Sequence, residues 1–197
     1  VTQYSRNGKL LENFTHITQE IEKVIDDFGR SMVLDGEMIS TSFQALMKQV
    51  HRKDNVQADD AVLMLFDIIP LSEFLKGKSV LGQRRRSKLV QSMKPLFDRI
   101  GNIGVIPQTE VDLDEYVGEL QFKQFNKDAI NNGYEGIMIK EVDAQYECKR
   151  STSWLKMKPF IEVSLNVVDI EEGTGKNEGR LGALICEGED DGKKIRV

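Results

Sequence analysis

The sequence predicts an α+β fold of mostly antiparallel sheets with flanking helices, and three observations lead there. Apolar residues recur at helical spacing in three separated segments, the first through Phe14, Ile17, Ile21, Val24, Ile25 and Phe28. Between those segments lie short apolar or alternating runs of strand length, bounded by turn residues. Past Pro159 the helical signal stops, and short alternating runs joined by glycine-rich turns take over. A boundary near Phe160 follows, giving one domain over 1–160 and a second over 161–197 that is too short for a complete β-domain.

Taken in order, Val1 to Ser5 reads as the end of a strand, and Asn7-Gly8 is a pair that favours a tight hairpin turn. The first helix then runs from Phe14 to Phe28, with Asn13 or Thr15 placed to cap it and Gly29 to end it. Ser31 to Ser40 reads as a strand with Asp35-Gly36-Glu37 at its centre, and the polar stretch from His51 to Asp60 as a loop. Ala61 to Ile69 is a nearly continuous apolar run stopped by Pro70, the pattern of a buried strand. Leu89, Met93, Leu96, Phe97 and Ile100 mark a second helix over 83–100, followed by a strand over 104–109. Phe122, Phe125, Ala129 and Ile130 mark a third, ended by Asn131-Asn132-Gly133. The alternating segment from Glu135 to Lys140 and the segment around Trp154 read as strands, as do Val163 to Ile170, Leu181 to Cys186 and Lys193 to Val197.

Bulk properties exclude several classes. The longest apolar stretches fall far short of the roughly 20 residues that cross a bilayer, and Val1 to Arg6 lacks the features of a secretory signal. No membrane partner is expected, and a cytoplasmic monomer is. Cys148 and Cys186 form no cluster with His16 or His51, so no structural zinc site is expected and both read as reduced thiols. The net charge of −5 argues against a polyanionic partner only at long range, because binding depends on where the cations sit. Arg84 to Arg86, Lys149-Arg150 and the Lys193, Lys194, Arg196 group are each either a solvated face or part of a basic groove.

Two segments carry the chemistry: Glu135-Gly136-Ile137-Met138-Ile139-Lys140 and Ser153-Trp154-Leu155-Lys156-Met157-Lys158-Pro159. With Tyr4-Ser5-Arg6-Asn7-Gly8, Leu34-Asp35-Gly36-Glu37 and Leu65-Phe66-Asp67, they resemble, in order and spacing, the motifs of ATP-dependent DNA ligases, most nearly the compact bacteriophage type. The resemblance implies a nucleotidyltransferase (ATP-grasp-like) adenylation domain followed by the first strands of an OB-fold. It also implies sealing of nicks in duplex DNA, with ATP and Mg²⁺, through lysyl-AMP and DNA-adenylate. These steps move negative charge onto phosphorus and its leaving group, so nearby cations lower the barrier most.

By the same resemblance, Lys156 and Lys158 supply charge at the α-phosphate, and their spacing of two puts them on one face of a strand. Glu135 binds the metal, with Glu37 as a further metal candidate that also holds the ribose hydroxyls. Phe66 stacks on adenine, Lys140 faces the phosphates, and Arg6 meets phosphate either on the nucleotide or at the nick. Singly, each has a blander reading: Phe66 as core, Trp154 as a packing anchor, the charged residues as exposed. Gly173-Thr174-Gly175-Lys176 is read as a β-turn touching DNA backbone, since Asn177 stands where a phosphate loop has serine or threonine.

The family's nucleophile lies in a Lys-x-Asp-Gly motif. Here Asp-Gly occurs at Asp35-Gly36 and Asp191-Gly192, and the residues two before each aspartate are Val33 and Glu189. The chain therefore reads as an internal fragment of a ligase, expected to form no adenylate alone, because covalent catalysis needs an amine held in line with the α-phosphate. An RNA ligase or mRNA-capping-type nucleotidyltransferase, and a non-catalytic nick-binding module, remain as alternatives.

Overall fold

The structure, a computed structural model, describes residues 1–40, 57–159, 162–190 and 192–197. Most of the polar stretch from His51, the boundary residue Phe160 and Asp191 lie outside the described residues. The chain divides into two compact units, Val1–Met157 and Lys158–Val197.

In the first unit the opening turn forms as its Asn-Gly pair predicts: Ser5 N donates to Lys9 O at 2.8 Å, and Gly8 takes the left-handed φ of 74°. The first helix is shorter than its periodicity predicts. Helix α1 spans Thr15–Glu22 and buries Ile17 and Ile21; Val24 leaves helical backbone at φ −123°, and a separate 3₁₀ turn covers Ile25–Phe28 before Gly29 at φ 64°. Val24 gains burial by this break, being 3% exposed. The N-cap position falls on Phe14, between the two expected cap residues, and makes no side-chain cap bond. Gln57, 42 residues from Thr15, supplies one instead, its Oε1 accepting from Thr15 N at 3.0 Å.

Strand β1 (Met32–Ile39) and β2 (Val62–Pro70) are followed by the short helix α2 (Leu71–Phe74), β3 (Lys78–Gly82), α3 (Gln83–Ser92), α4 (Lys94–Phe97) and β4 (Ile103–Val105). The predicted helix over 83–100 thus breaks at Met93, where Pro95 starts a new turn. Helix α5 (Tyr116–Asn131) ends near Gly133 at φ 83°, and β5 (Ile137–Lys140), β6 (Gln145–Glu147) and β7 (Trp154–Met157) complete the unit. Two short elements, β3 and β6, carry no alternation that periodicity could detect.

The main sheet has the order β1-β2-β4, antiparallel between β1 and β2 and parallel between β2 and β4. Of the pairings among the described residues β2–β4 alone is parallel, so the sheets are mostly antiparallel as expected, and the helices between its strands form the crossover the parallel pair needs. Phe14, Ile17, Ile21, Leu65, Ile68, Val90, Phe97 and Ile103 bury together against this sheet. Each such side chain stabilises the fold by about 1.5–3 kcal/mol. Two antiparallel ribbons, β3–β6 and β5–β7, adjoin.

The second unit is a three-stranded antiparallel sheet, β8 (Asn166–Glu172), β9 (Leu181–Asp190) and β10 (Lys193–Arg196), in the order β10-β9-β8. Gly175–Asn177 forms a short 3₁₀ turn between β8 and β9, closed by Gly173 N donating to Arg180 O at 2.8 Å. It opens no helix and so cannot cradle phosphate in the manner of a phosphate loop.

Candidate functional site

The site begins with an irregularity in β2. Asp35 pairs with Asp67 and Gly36 with Leu65, so β2 carries one residue more than β1, and that residue is Phe66. A bulge re-aims a side chain. It also demands close backbone approach: a Cβ on Gly36 would lie 2.7 Å from Met64 O and 2.9 Å from Leu63 Cδ1. The glycine of the Leu-Asp-Gly-Glu motif is therefore a packing requirement.

Phe66 is half-buried and meets Trp154 edge-on at 6.0 Å and 76°. Trp154 also receives Tyr146 edge-on at 5.7 Å, and Tyr146 Oη donates to Asp35 Oδ2 at 2.8 Å. Trp154 is thus a packing anchor. Lys140 pairs with Trp154 across β5–β7, its Nζ 3.9 Å from the indole centroid and 5.0 Å from that of Phe66.

Beneath this cluster lies a buried ion pair that motif reading missed. Arg86 Nε donates to both carboxylate oxygens of Asp67, at 2.9 and 3.2 Å, and both side chains are fully buried. Arg86 also donates to Gln83 Oε1 at 2.7 Å, to Ala144 O at 3.2 Å and to Leu81 O, while Ile68 N donates to Asp67 Oδ1. The Arg84–Arg86 run is therefore no basic patch. Arg86 belongs to the core and Arg84 pairs with Glu110 and Asp143, because a helix turns consecutive residues to different faces. The signal was present: Asp67 interrupts an apolar run, and Gln83, Arg86 and Val90 share the buried helical face.

These groups perturb one another. Burial lowers the Lys140 ammonium to about 8, against the opposing pull of Asp67 and Asp35 and with a smaller contribution from Arg86. Burial likewise raises Asp35, partly offset by the Tyr146 hydroxyl, and raises Tyr146 itself.

Arg6, Glu37, Phe66, Glu135, Lys140 and Lys156 all line one broad cleft of the first unit. Within it Lys156 Nζ lies 3.3 Å from Glu135 Oε2, both side chains more than half exposed, and Phe66 touches Lys140. Lys156 shares a strand face with Trp154, two residues before it. Arg6 sits exposed on the opening turn, and Glu37 exposed on β1 opposite Met64. Lys158 is exposed just past β7 and falls in the second unit. Among the described residues, no group of three or more His, Cys, Asp or Glu side chains is arranged to hold a metal ion. No helix among them is long and apolar enough to cross a membrane.

The first unit is thus an α+β domain that sets a half-buried aromatic, lysines and carboxylates along one cleft. The chain belongs to the family described as ATP dependent DNA ligase domain, whose pattern matches residues 1–158. It is 33% identical to a DNA ligase of Methanococcoides burtonii, over 96% of this chain and 35% of that protein, and 30% identical to DNA ligase 2 of Methanosarcina acetivorans, over 93% and 33%. The chain thus spans about a third of the length of these curated relatives. A solved structure described as Pmar-Lig_Pre is 51% identical, with a TM-score of 0.87, over all of this chain and 46% of that one. The ATP-dependent DNA ligase of bacteriophage T7 in complex with ATP has a TM-score of 0.62 at 19% identity, over 99% and 67%, which shows a shared fold.

Proposed function

We infer that the cleft binds the adenylate of ATP and serves the sealing of nicks in duplex DNA through lysyl-AMP and DNA-adenylate. The observation that carries this reading is the Phe66–Trp154 contact. It fixes the ring of β2 beside the ribbon whose next same-face residue is Lys156. A base stacked on Phe66 then has its phosphate end directed toward that lysine.

In this reading Glu37 accepts from the ribose hydroxyls, and Lys156 offsets charge on the α-phosphate. Arg6 meets phosphate, on the nucleotide or at the nick. Glu135 and Glu37 are exposed carboxylates on the cleft, and carboxylate oxygen is the hard ligand type that Mg²⁺ takes, with water and substrate phosphate completing its shell. When bound, the ion supplies charge neutralisation at the phosphates. The Glu135 contact holds Lys156 in the cleft before nucleotide arrives.

The 197 residues contain no Lys-x-Asp-Gly, so these residues alone form no lysyl-AMP. The second unit is read as the opening strands of an OB-fold, the fold that engages nucleic acid through its strand face. Calorimetric titration of the chain with ATP and AMP tests the nucleotide reading. Saturable binding weakened about tenfold or more in Lys156→Ala and Phe66→Ala is expected, given about 1.5–3 kcal/mol for the charge-assisted contact of the lysine and about 1–3 kcal/mol for a base stacked on the ring. Absence of binding by the unmodified chain overturns the reading, and a covalent AMP adduct after incubation with labelled ATP overturns the claim of inactivity.

A further inference from the structure

A bulged residue leaves its backbone outside the ladder, and a carbonyl so orphaned needs a donor from elsewhere. For Phe66 two side chains supply it: Gln108 Nε2 at 2.9 Å and Lys140 Nζ at 3.4 Å. Lys140 comes from β5, 74 residues further along the chain, and the same ammonium lies against the rings of both Phe66 and Trp154. One cation therefore holds the main sheet to the β5–β7 ribbon at the point where the aromatic ring enters the cleft.

We propose that Lys140 is a positioning residue: it anchors the bulge that aims Phe66 and ties that ring to Trp154, so that the base platform and Lys156 keep a set separation, and it makes no phosphate contact. The proposal rests on the nucleotide reading above and departs from the motif-based expectation that this lysine faces phosphate. Three features support it. The ammonium is already engaged by two rings and a carbonyl, which together consume its approach directions. It is withdrawn from solvent, whereas Lys156 is more than half exposed. And Asp35, Asp67, Arg86 and Tyr146, the charged and titratable groups around it, belong to the network behind the cleft.

The test compares Lys140→Met, which keeps the apolar stem, with Lys140→Arg, which keeps a cation able to lie on rings. Trp154 is the sole tryptophan, so its fluorescence reports the contact without any ligand. Acrylamide quenching at about pH 7 is expected to increase roughly twofold in Lys140→Met and to be largely restored in Lys140→Arg. In the unmodified protein the emission is expected to titrate with a midpoint near 8, the value burial sets for Lys140, which keeps the test informative if Lys140→Met does not fold. Affinities for adenosine, AMP and ATP are then expected to fall by one common factor of about three to ten in Lys140→Met.

Unchanged quenching in Lys140→Met, or an emission that does not titrate, overturns the anchor. A loss that grows from adenosine to AMP to ATP overturns it in favour of a direct phosphate contact. Should the unmodified chain bind none of the three while Trp154 still loses its shielding in Lys140→Met, the nucleotide reading fails and the ring anchor stands.

Discussion

Tyr146 donates its hydroxyl to Asp35 across 2.8 Å, joining a residue of a three-residue strand to the bulge of the main sheet over a sequence separation of 111. The hydroxyl lowers a carboxylate that burial otherwise raises, so the bond is charge-assisted. Tyr146→Phe keeps the edge-on contact with Trp154 but leaves Asp35 underpaired. A loss of about 1.5–3 kcal/mol is expected from urea unfolding. A loss under about 0.5 kcal/mol would show that water replaces the hydroxyl at no cost.

Arg86 and Arg84 stand two residues apart with opposite fates. Arg86→Ala leaves Asp67 charged and unpaired in the core, at a cost of about 3–5 kcal/mol. Arg84→Ala removes an exposed contact with Glu110 and should shift the urea midpoint far less. Equal effects of the two substitutions on the midpoint would contradict the burial assignment.

Gly36→Ala places a Cβ against Met64 O and Leu63 Cδ1, one of them rigid backbone. Relief requires β1 and β2 to separate at the bulge, for about 1–3 kcal/mol. Because Phe66 is the residue the bulge re-aims, adenosine affinity should fall together with stability. Wild-type affinity in a destabilised variant would uncouple the bulge from the platform.

The lysine at the centre of the cluster also sets a pH dependence. Folding lowers Lys140 from 10.5 to about 8, so between those values the unfolded chain holds the proton that the folded chain has lost. Stability contributed by this group therefore rises with pH across that window, the sign that linkage requires when the unfolded state binds more protons. Tyr146, raised by the fold, acts in the opposite direction above its unfolded value and is common to both proteins compared. Urea midpoints at about pH 7.5 and 9.5 should show the unmodified protein gaining on Lys140→Met. A constant difference would refute the linkage.

Much of the cleft was legible because its residues lie on short motifs whose spacing matches strand geometry. The pairing of Met138 with Lys156 and of Lys140 with Trp154 follows the alternation that the two segments display in sequence. The helix cap by Gln57 was not legible, since its donor and acceptor lie 42 residues apart. Nor was the role of Arg86: reading along the chain groups it with Arg84 and Arg85, whereas the helix sorts the three by angle.

Local chemistry alone, then, determined the alternation of helices and strands, the turn at Asn7-Gly8, the strand that carries Phe66 and the kinship with ATP-dependent DNA ligases. The first three depend on neighbours within a few residues, where period and turn preference act directly, and the kinship on the order of short motifs along the chain. Tertiary structure decided which charges are buried, which residue of β2 is in excess, and which lysine sits on the rings while another stands in the open cleft. Those outcomes depend on contacts between residues 14 to 111 positions apart, and on how completely each group is removed from water, neither of which a linear pattern encodes.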